Sequence, residues 1–184
     1  FRSGYVMNAV SIKNMSKSIK DKVILNDFNL KLELSQVYGL IGENGTGKTT
    51  LIRCISGLLK PTIGSVQVFG EHSYNMSDNV KNEMAVVFDN PLFINRMNSM
   101  DNLRYFCVPY GVKREDVERK FVELSKALDL DVNNQKVGTF SWGMKQKLSI
   151  IRGLIIEPKL FILDEPFSGL DPSSKYTLTK VLKE

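Results

Sequence analysis

The sequence predicts an α/β fold, and three observations carry that expectation. Near the amino end Val10 and Ile12, then Phe28, Leu30, Leu32 and Leu34, recur at every second position, the period of half-buried strands. A short apolar run, Val37 to Ile41, meets a glycine-rich loop and then helical spacing at Leu51, Ile52 and Ile55. A long stretch with helical periodicity then precedes a second apolar run, Leu160 to Leu163, that ends in two acids.

The chain has 184 residues, which favours one large domain burying about 70% of its unfolded surface. Hydrophobic residues make up 42% and charged residues 24%, a composition that excludes a disordered or collagen-like chain. The richest apolar segment, Leu148 to Leu163, is broken by Arg152, Glu157, Pro158 and Lys159, so no stretch reads as a spanning helix. Two cysteines, Cys54 and Cys107, and no leader pattern argue against a disulfide scaffold and secretion, and fit a reducing cytoplasm. The net charge of +5 is dispersed, and Glu115/Arg119 and Asp116/Lys120 are spaced to pair at i, i+4. A solvated surface explains this better than a nucleic-acid groove does. Phe1 to Val6 reads as an extension outside the fold.

The alternating segments Ala9 to Met15 and Phe28 to Leu34 are expected to pair as an antiparallel edge. Val37 to Ile41 is expected to be a buried strand, followed by a helix that stops near Gly57. Ser65 to Phe69 and Met84 to Phe88 read as two more strands. Helical spacing covers Asn98 to Tyr110 and Glu115 to Leu130, where Val117, Phe121, Leu124 and Leu128 form one stripe, with Gly111 between the two segments. A third helix is expected over Ser141 to Ile156, stopped before Pro158, and Leu160 to Leu163 returns to a buried strand. Asp171-Pro172 has the N-cap carboxylate and first-turn proline of a helix start, opening a final helix with Leu178, Val181 and Leu182.

Gly42-Glu43-Asn44-Gly45-Thr46-Gly47-Lys48-Thr49 matches G-x-x-x-x-G-K-[ST] between the expected strand and helix. Glycines let successive backbone N–H groups turn inward, and the following helix aims its positive end at the same point, so the loop makes an anion cradle. Lys48 then neutralises β- and γ-phosphates, and the Thr49 hydroxyl is placed for Mg²⁺. The acids that close the second run, Asp164 and Glu165, would stand beside the loops of a parallel sheet. Asp164 is the candidate for Mg²⁺, and Glu165 for orienting and deprotonating an attacking water. These motifs alone fit a nucleotide hydrolase or a phosphotransferase. Phe140-Ser141-Trp142-Gly143-Met144 adds a serine able to cap a helix and a glycine that would let a phosphate approach the backbone.

With Ser168-Gly169-Leu170-Asp171 added, the chain resembles the ATP-binding subunits of ABC transporters from about Asn8 to Leu182. Five elements match in order: the P-loop, a loop after the Met84 to Phe88 strand, the signature-like Ser141 to Met144, the Asp164-Glu165-Pro166 run, and the Ser168 to Asp171 turn, similar to the family's D-loop. The wording Gly143-Met144-Lys145-Gln146 is similar to the branch that exports bacitracin, lantibiotics and related peptides. The resemblance implies a P-loop NTPase (RecA-like) core with an antiparallel β subdomain over 7–90 and 157–184, and a helical subdomain carrying the signature over 91–156. It also implies an Mg²⁺-dependent ATPase that pairs with a second ATP-binding subunit, each ATP lying between the P-loop of one chain and the signature of the other. A membrane-spanning permease would read the closure, placing the chain on the cytoplasmic face of the cell membrane, without direct nucleic-acid contact. The nucleotide-binding residues so implied are Gly42 to Thr49, Thr50, Ile19, Ser141, Gly143 and Asp171. Catalytic roles fall to Lys48, Glu165 and Asp89, and metal contacts to Thr49, Asp164 and Asp89.

Several positions depart from the family pattern. Ile19 stands where an aromatic ring usually stacks on adenine, so loose base selectivity is expected. Asp89 replaces a glutamine, keeping an oxygen for Mg²⁺ and losing the amide donor. Trp142 replaces the first signature glycine, to pack at the helix start or to meet the ligand. The family's switch histidine lies beyond the end of this sequence, and His72, the only histidine, reads as a surface residue. The expectation is therefore a chain truncated in its C-terminal part that binds nucleotide and hydrolyses it slowly or not at all. A soluble ABC-type ATPase acting on nucleic acid or ribosomes is the alternative, though such members carry paired cassettes or long coiled coils. A small-molecule kinase would have no use for the signature helix.

Overall fold

In a computed structural model, residues 8–132 and 134–182 are described, and Phe1 to Val6, expected to stand apart, lie outside them. The chain divides into two compact units, one ending at Met84 and one beginning at Ala85.

In the first unit β1 (Asn8–Ile19) and β2 (Lys22–Glu33) form an antiparallel pair, and β3 (Ile63–Val68) and β4 (Glu71–His72) extend it in the order β2-β1-β3-β4. Register follows the alternation: Ile12 faces Leu30 on one side and Val66 on the other, and Val10 faces Val68. Val10, Ile12, Met15, Val66 and Val68 are buried, while Phe28, Leu30 and Leu32 are half-buried. The β1–β3 register shifts between Lys13 and Ser16, opposite Gly64. A Cβ on Gly64 would lie 2.3 Å from the Asn14 carbonyl oxygen, so only glycine permits this approach of backbones. Helix α1 (Lys48–Ile55) buries Leu51, Ile52, Cys54 and Ile55 and ends before Gly57, whose φ of 77° suits a glycine.

The expected strand at Val37 to Ile41 does not form. Val37 and Ile41 are 93% and 96% exposed, and no described ladder reaches them. An apolar run becomes a strand only where a neighbour completes its hydrogen bonds, and Gly39 weakens the tendency further. Here the Tyr38 hydroxyl instead accepts the Glu33 N–H at 3.0 Å, folding the segment back on the end of β2. Between β4 and Met84 a short helix, α2 (Asp78–Asn82), is capped by Ser77, whose own N–H is held by Glu71 at 2.6 Å.

Strand β5 (Met84–Val87) pairs with β6 (Leu160–Leu163). Between them in sequence run α3 (Ser99–Cys107) with a 3₁₀ turn at Val108–Tyr110, α4 (Arg114–Ala127) and α5 (Trp142–Ile155), and α6 (Pro172–Val181) follows. The core of this unit is the predicted stripe with its partners: Leu103, Val117, Leu128, Leu148, Ile151, Ile155 and Leu178 are buried, and Phe121 and Leu124 pack at its margin. Two expectations are corrected here. β6 is half-exposed rather than buried, because it has one strand neighbour. The i, i+4 charge pairs also do not form: Arg119 reaches Asp116 at 3.0 Å, while Lys120 turns to Glu157 at 2.8 Å and the Ile155 carbonyl at 3.1 Å. At the end of α5 the ammonium meets a carboxylate and an unpaired helix carbonyl together, where Asp116 would offer a carboxylate alone.

Candidate functional site: an anion cradle and a groove between helix starts

Gly45 and Gly47 take φ values of 82° and 96°, left-handed conformations that glycine enters without a Cβ penalty. The turn is closed by Thr46, whose hydroxyl donates to the Glu43 carbonyl at 2.9 Å. Lys48 curls over the loop, donating from Nζ to the carbonyls of Gly42 and Glu43, each at 2.7 Å. Gly47 is the N-cap of α1 and supplies no side-chain cap, and the helix has no acid in its first turn. Of the described α-helices with eight or more residues, α1 alone lacks both; α3, α5 and α6 have capping side chains and α4 has Glu115 and Asp116. The first-turn N–H groups and the helix dipole are thus left for an anion. Thr49 and Thr50 occupy that first turn. Ile19 ends β1 beside the turn at Lys20, 45% exposed, with an apolar side chain and no ring.

In the second unit the Asp164 N–H donates to the Val87 carbonyl at 2.8 Å, which sets the C-terminal ends of β5 and β6 level. Asp89, two residues past β5, is exposed. Asp164 is 3% exposed, and its Oδ2 is buried without a hydrogen-bond partner. A buried carboxylate oxygen left unpaired is costly, and a hard cation would satisfy it. Among the described residues no three His, Cys, Asp or Glu side chains converge on one point. The single buried carboxylate of Asp164 fits Mg²⁺, which takes one or two carboxylates and completes its shell with phosphate oxygens and water. Glu165 is exposed and adopts φ 48°, and its carbonyl accepts the Ser168 N–H at 3.0 Å, opening the turn toward Asp171.

Ser141, Gly143 and Asp171 meet along one groove of about 410 Å³, lined also by Trp142, Met144, Lys147, Gly169, Leu170 and Ser174. Two helix starts face it. Ser141 caps α5, accepting the Met144 N–H at 3.2 Å, and Asp171 caps α6, accepting the Ser174 N–H at 2.9 Å. The Ser174 hydroxyl and N–H, with Lys147 nearby, hold the Asp171 carboxyl below its ordinary range. The roles of Lys147 and Ser174 were not read from sequence; Asp171-x-x-Ser174 is a capping spacing that could have exposed the second. His72 lies in β4 with its side chain exposed, as expected.

A family model described as "ABC transporter" matches residues 25–168. The ABC transporter ATP-binding protein NatA of Bacillus subtilis (strain 168) is 34% identical over 181 residues, 95% of this chain and 74% of its own length. The bacitracin transport ATP-binding protein BcrA of Bacillus licheniformis is 32% identical over 164 residues, covering 89% of this chain and 53% of that protein, so the chain spans about half of that relative. A solved structure of the ATP-binding subunit of an ABC transporter superposes with a TM-score of 0.85 at 28% identity, over 95% of this chain and 73% of the other.

Proposed function

The chain belongs to the ABC transporter family, as an ATP-binding domain of ATPase type, and on that footing we propose that it powers the export of a peptide, antibiotic or similar solute through a membrane permease. The observation that carries the reading is the start of α1: an uncapped helix N-terminus without acids, behind two left-handed glycines, with the Lys48 ammonium over the loop. Backbone N–H groups of residues 42–50 take the β- and γ-phosphates of ATP, and Lys48 exchanges its two carbonyl partners for phosphate oxygens. Mg²⁺, when bound, neutralises charge developing on the phosphates. Thr49, Asp164 and Asp89 would hold it, the orphaned Oδ2 of Asp164 being the strongest support. Glu165 positions and deprotonates the water, and its exposure at the strand end leaves it free to do so.

Ser141 and Gly143 serve the nucleotide of a second copy, as does Asp171 across the groove. The helical residues 91–156 form the subdomain that meets the permease, and the chain sits at the inner face of the membrane as a peripheral subunit; no described helix is long and apolar enough to cross a bilayer. Export is favoured by the Gly143-Met144-Lys145-Gln146 wording, and the likeness to a bacitracin transport protein fits a peptide or antibiotic as the solute. Affinity capture from detergent-solubilised membranes tests the reading. Recovery of a multi-span membrane protein is expected; recovery of RNA or ribosomes instead would transfer the chain to the soluble ABC-type class.

A further inference from the structure

Trp142 is the first residue of α5 and remains 39% exposed. One part of its indole lies against the backbone of Gly169: a Cβ built there would stand 2.8 Å and 2.9 Å from Cζ3-side ring atoms Cε3 and Cζ3, respectively, and 3.6 Å from Cδ2. Gly169 is also left-handed, with φ 63°. Beside it the α-carbon of Gly143 faces Leu170, whose Cδ2 would be 3.6 Å from a Cβ at 143, and the Gly169 carbonyl at 3.9 Å. The first turn of α5 and the turn leading to Asp171 therefore share a packed seam made by one large aromatic ring and two glycines. Leu170 is buried at that seam, and the far end of the turn is fixed where Asp171 caps α6.

We propose that Trp142 is a positioning residue for the ATPase reaction, tying the start of the signature helix to the Ser168–Asp171 turn so that nucleotide arriving at Ser141 displaces both together. The mechanics follow from the contact. A ring with two side-chain torsions is rigid at small entropic cost, and a glycine beneath it allows contact with the backbone itself rather than with a mobile side chain. Motion of α5 is passed directly to main-chain atoms four residues past Glu165. Errors of about 1 Å in positioning can cost about 100-fold in rate, so a loosened seam is read in turnover more than in affinity. The inference rests on the proposed placement of nucleotide at Ser141.

Trp142 is the only tryptophan, so its emission reports on this seam without background. In the whole protein, MgATP is expected to shift the emission, and Lys48→Ala to abolish the shift. Trp142→Ala should lower kcat about tenfold or more with KM for MgATP changed less than about threefold, and Trp142→Phe should restore most of the rate. Gly169→Ala, which drives a methyl into the ring, should resemble Trp142→Ala, and the double variant should lose less than the product of the two single losses. The proposal is overturned if calorimetry records MgATP binding while the emission stays still, if Trp142→Ala turns over normally, or if the two losses multiply. Absence of MgATP binding would instead defeat the nucleotide reading beneath it. Should Trp142→Ala fail to fold, the native emission and the Trp142→Phe kinetics decide.

Discussion

Gly153 lies on the buried face of α5, and replacing it by alanine sets two effects of known size against each other. In a helix interior the change gains about 1 kcal/mol through lower backbone entropy in the unfolded chain. Here the new Cβ would lie 2.5 Å from Phe161 Cε2, 2.8 Å from Cζ and 3.5 Å from Val87 Cγ2. Restoring a normal carbon contact of about 3.5 Å requires the Phe161 ring to move by about 1 Å, and overpacking of this kind costs about 1–3 kcal/mol. Phe161 sits in β6, three residues before Asp164, so the displacement also reaches the carboxylate proposed to hold Mg²⁺. The net expectation is a loss of about 0–2 kcal/mol for Gly153→Ala. Urea unfolding followed by circular dichroism measures it, with midpoints compared at constant m-value. In a Phe161→Leu background the clash is gone and Gly153→Ala should stabilise by about 1 kcal/mol. A stabilising effect in the native background, or no change of sign between the two, would refute the reasoning.

Three further outcomes follow from the site. Asp89→Ala should weaken nucleotide binding more with Mg²⁺ than without it, by calorimetry; equal losses would make Asp89 a solvated loop acid. With Ile19 in place of a ring, stacking of about 1–3 kcal/mol on the base is missing, so GTP should compete with ATP within about tenfold. A much larger ATP preference would count against this placement. Asp171 has its carboxyl pKa lowered by Ser174, so its stabilising contribution is present above the unfolded value of about 3.9 and is lost as pH falls through the lower folded value. Between pH 7 and pH 3 the urea midpoint of the native protein should therefore fall more steeply than that of Asp171→Asn, which keeps the cap without the charge.

Local chemistry was legible where a single residue dictates it. Ser141 and Asp171 read as caps because a short acceptor before a helix has one obvious use, and each accepts a first-turn N–H. The stripe of Val117, Phe121, Leu124 and Leu128 was readable because its period is set by the helix itself. What depends on partners distant in sequence was not. Val37 to Ile41 has strand composition, and its exposure reflects the lack of a described ladder, which no local pattern encodes. Spacing pairs Lys120 with Asp116, whereas the Ile155 carbonyl and the Glu157 carboxylate, more than thirty residues away, hold it. The cluster from β4 to α2 escaped notice because its elements are of 2 and 5 residues, too short for periodicity to register. The motif residues of the P-loop, the signature and the Asp164 pair were all visible in the sequence. The seating of Trp142 on Gly169 was not, since it joins residues 27 positions apart through ring shape alone.

The central claim is that backbone amides of residues 42–49, with Lys48, hold a triphosphate whose Mg²⁺ is shared with Asp164. Isothermal calorimetry of MgATP against the native protein, Lys48→Ala and Asp164→Asn tests it most directly. The account predicts saturable heat with the native protein, its loss with Lys48→Ala, and for Asp164→Asn a drop in affinity that appears only when Mg²⁺ is present. Unchanged affinity in Lys48→Ala, or no heat from the native protein, would contradict it.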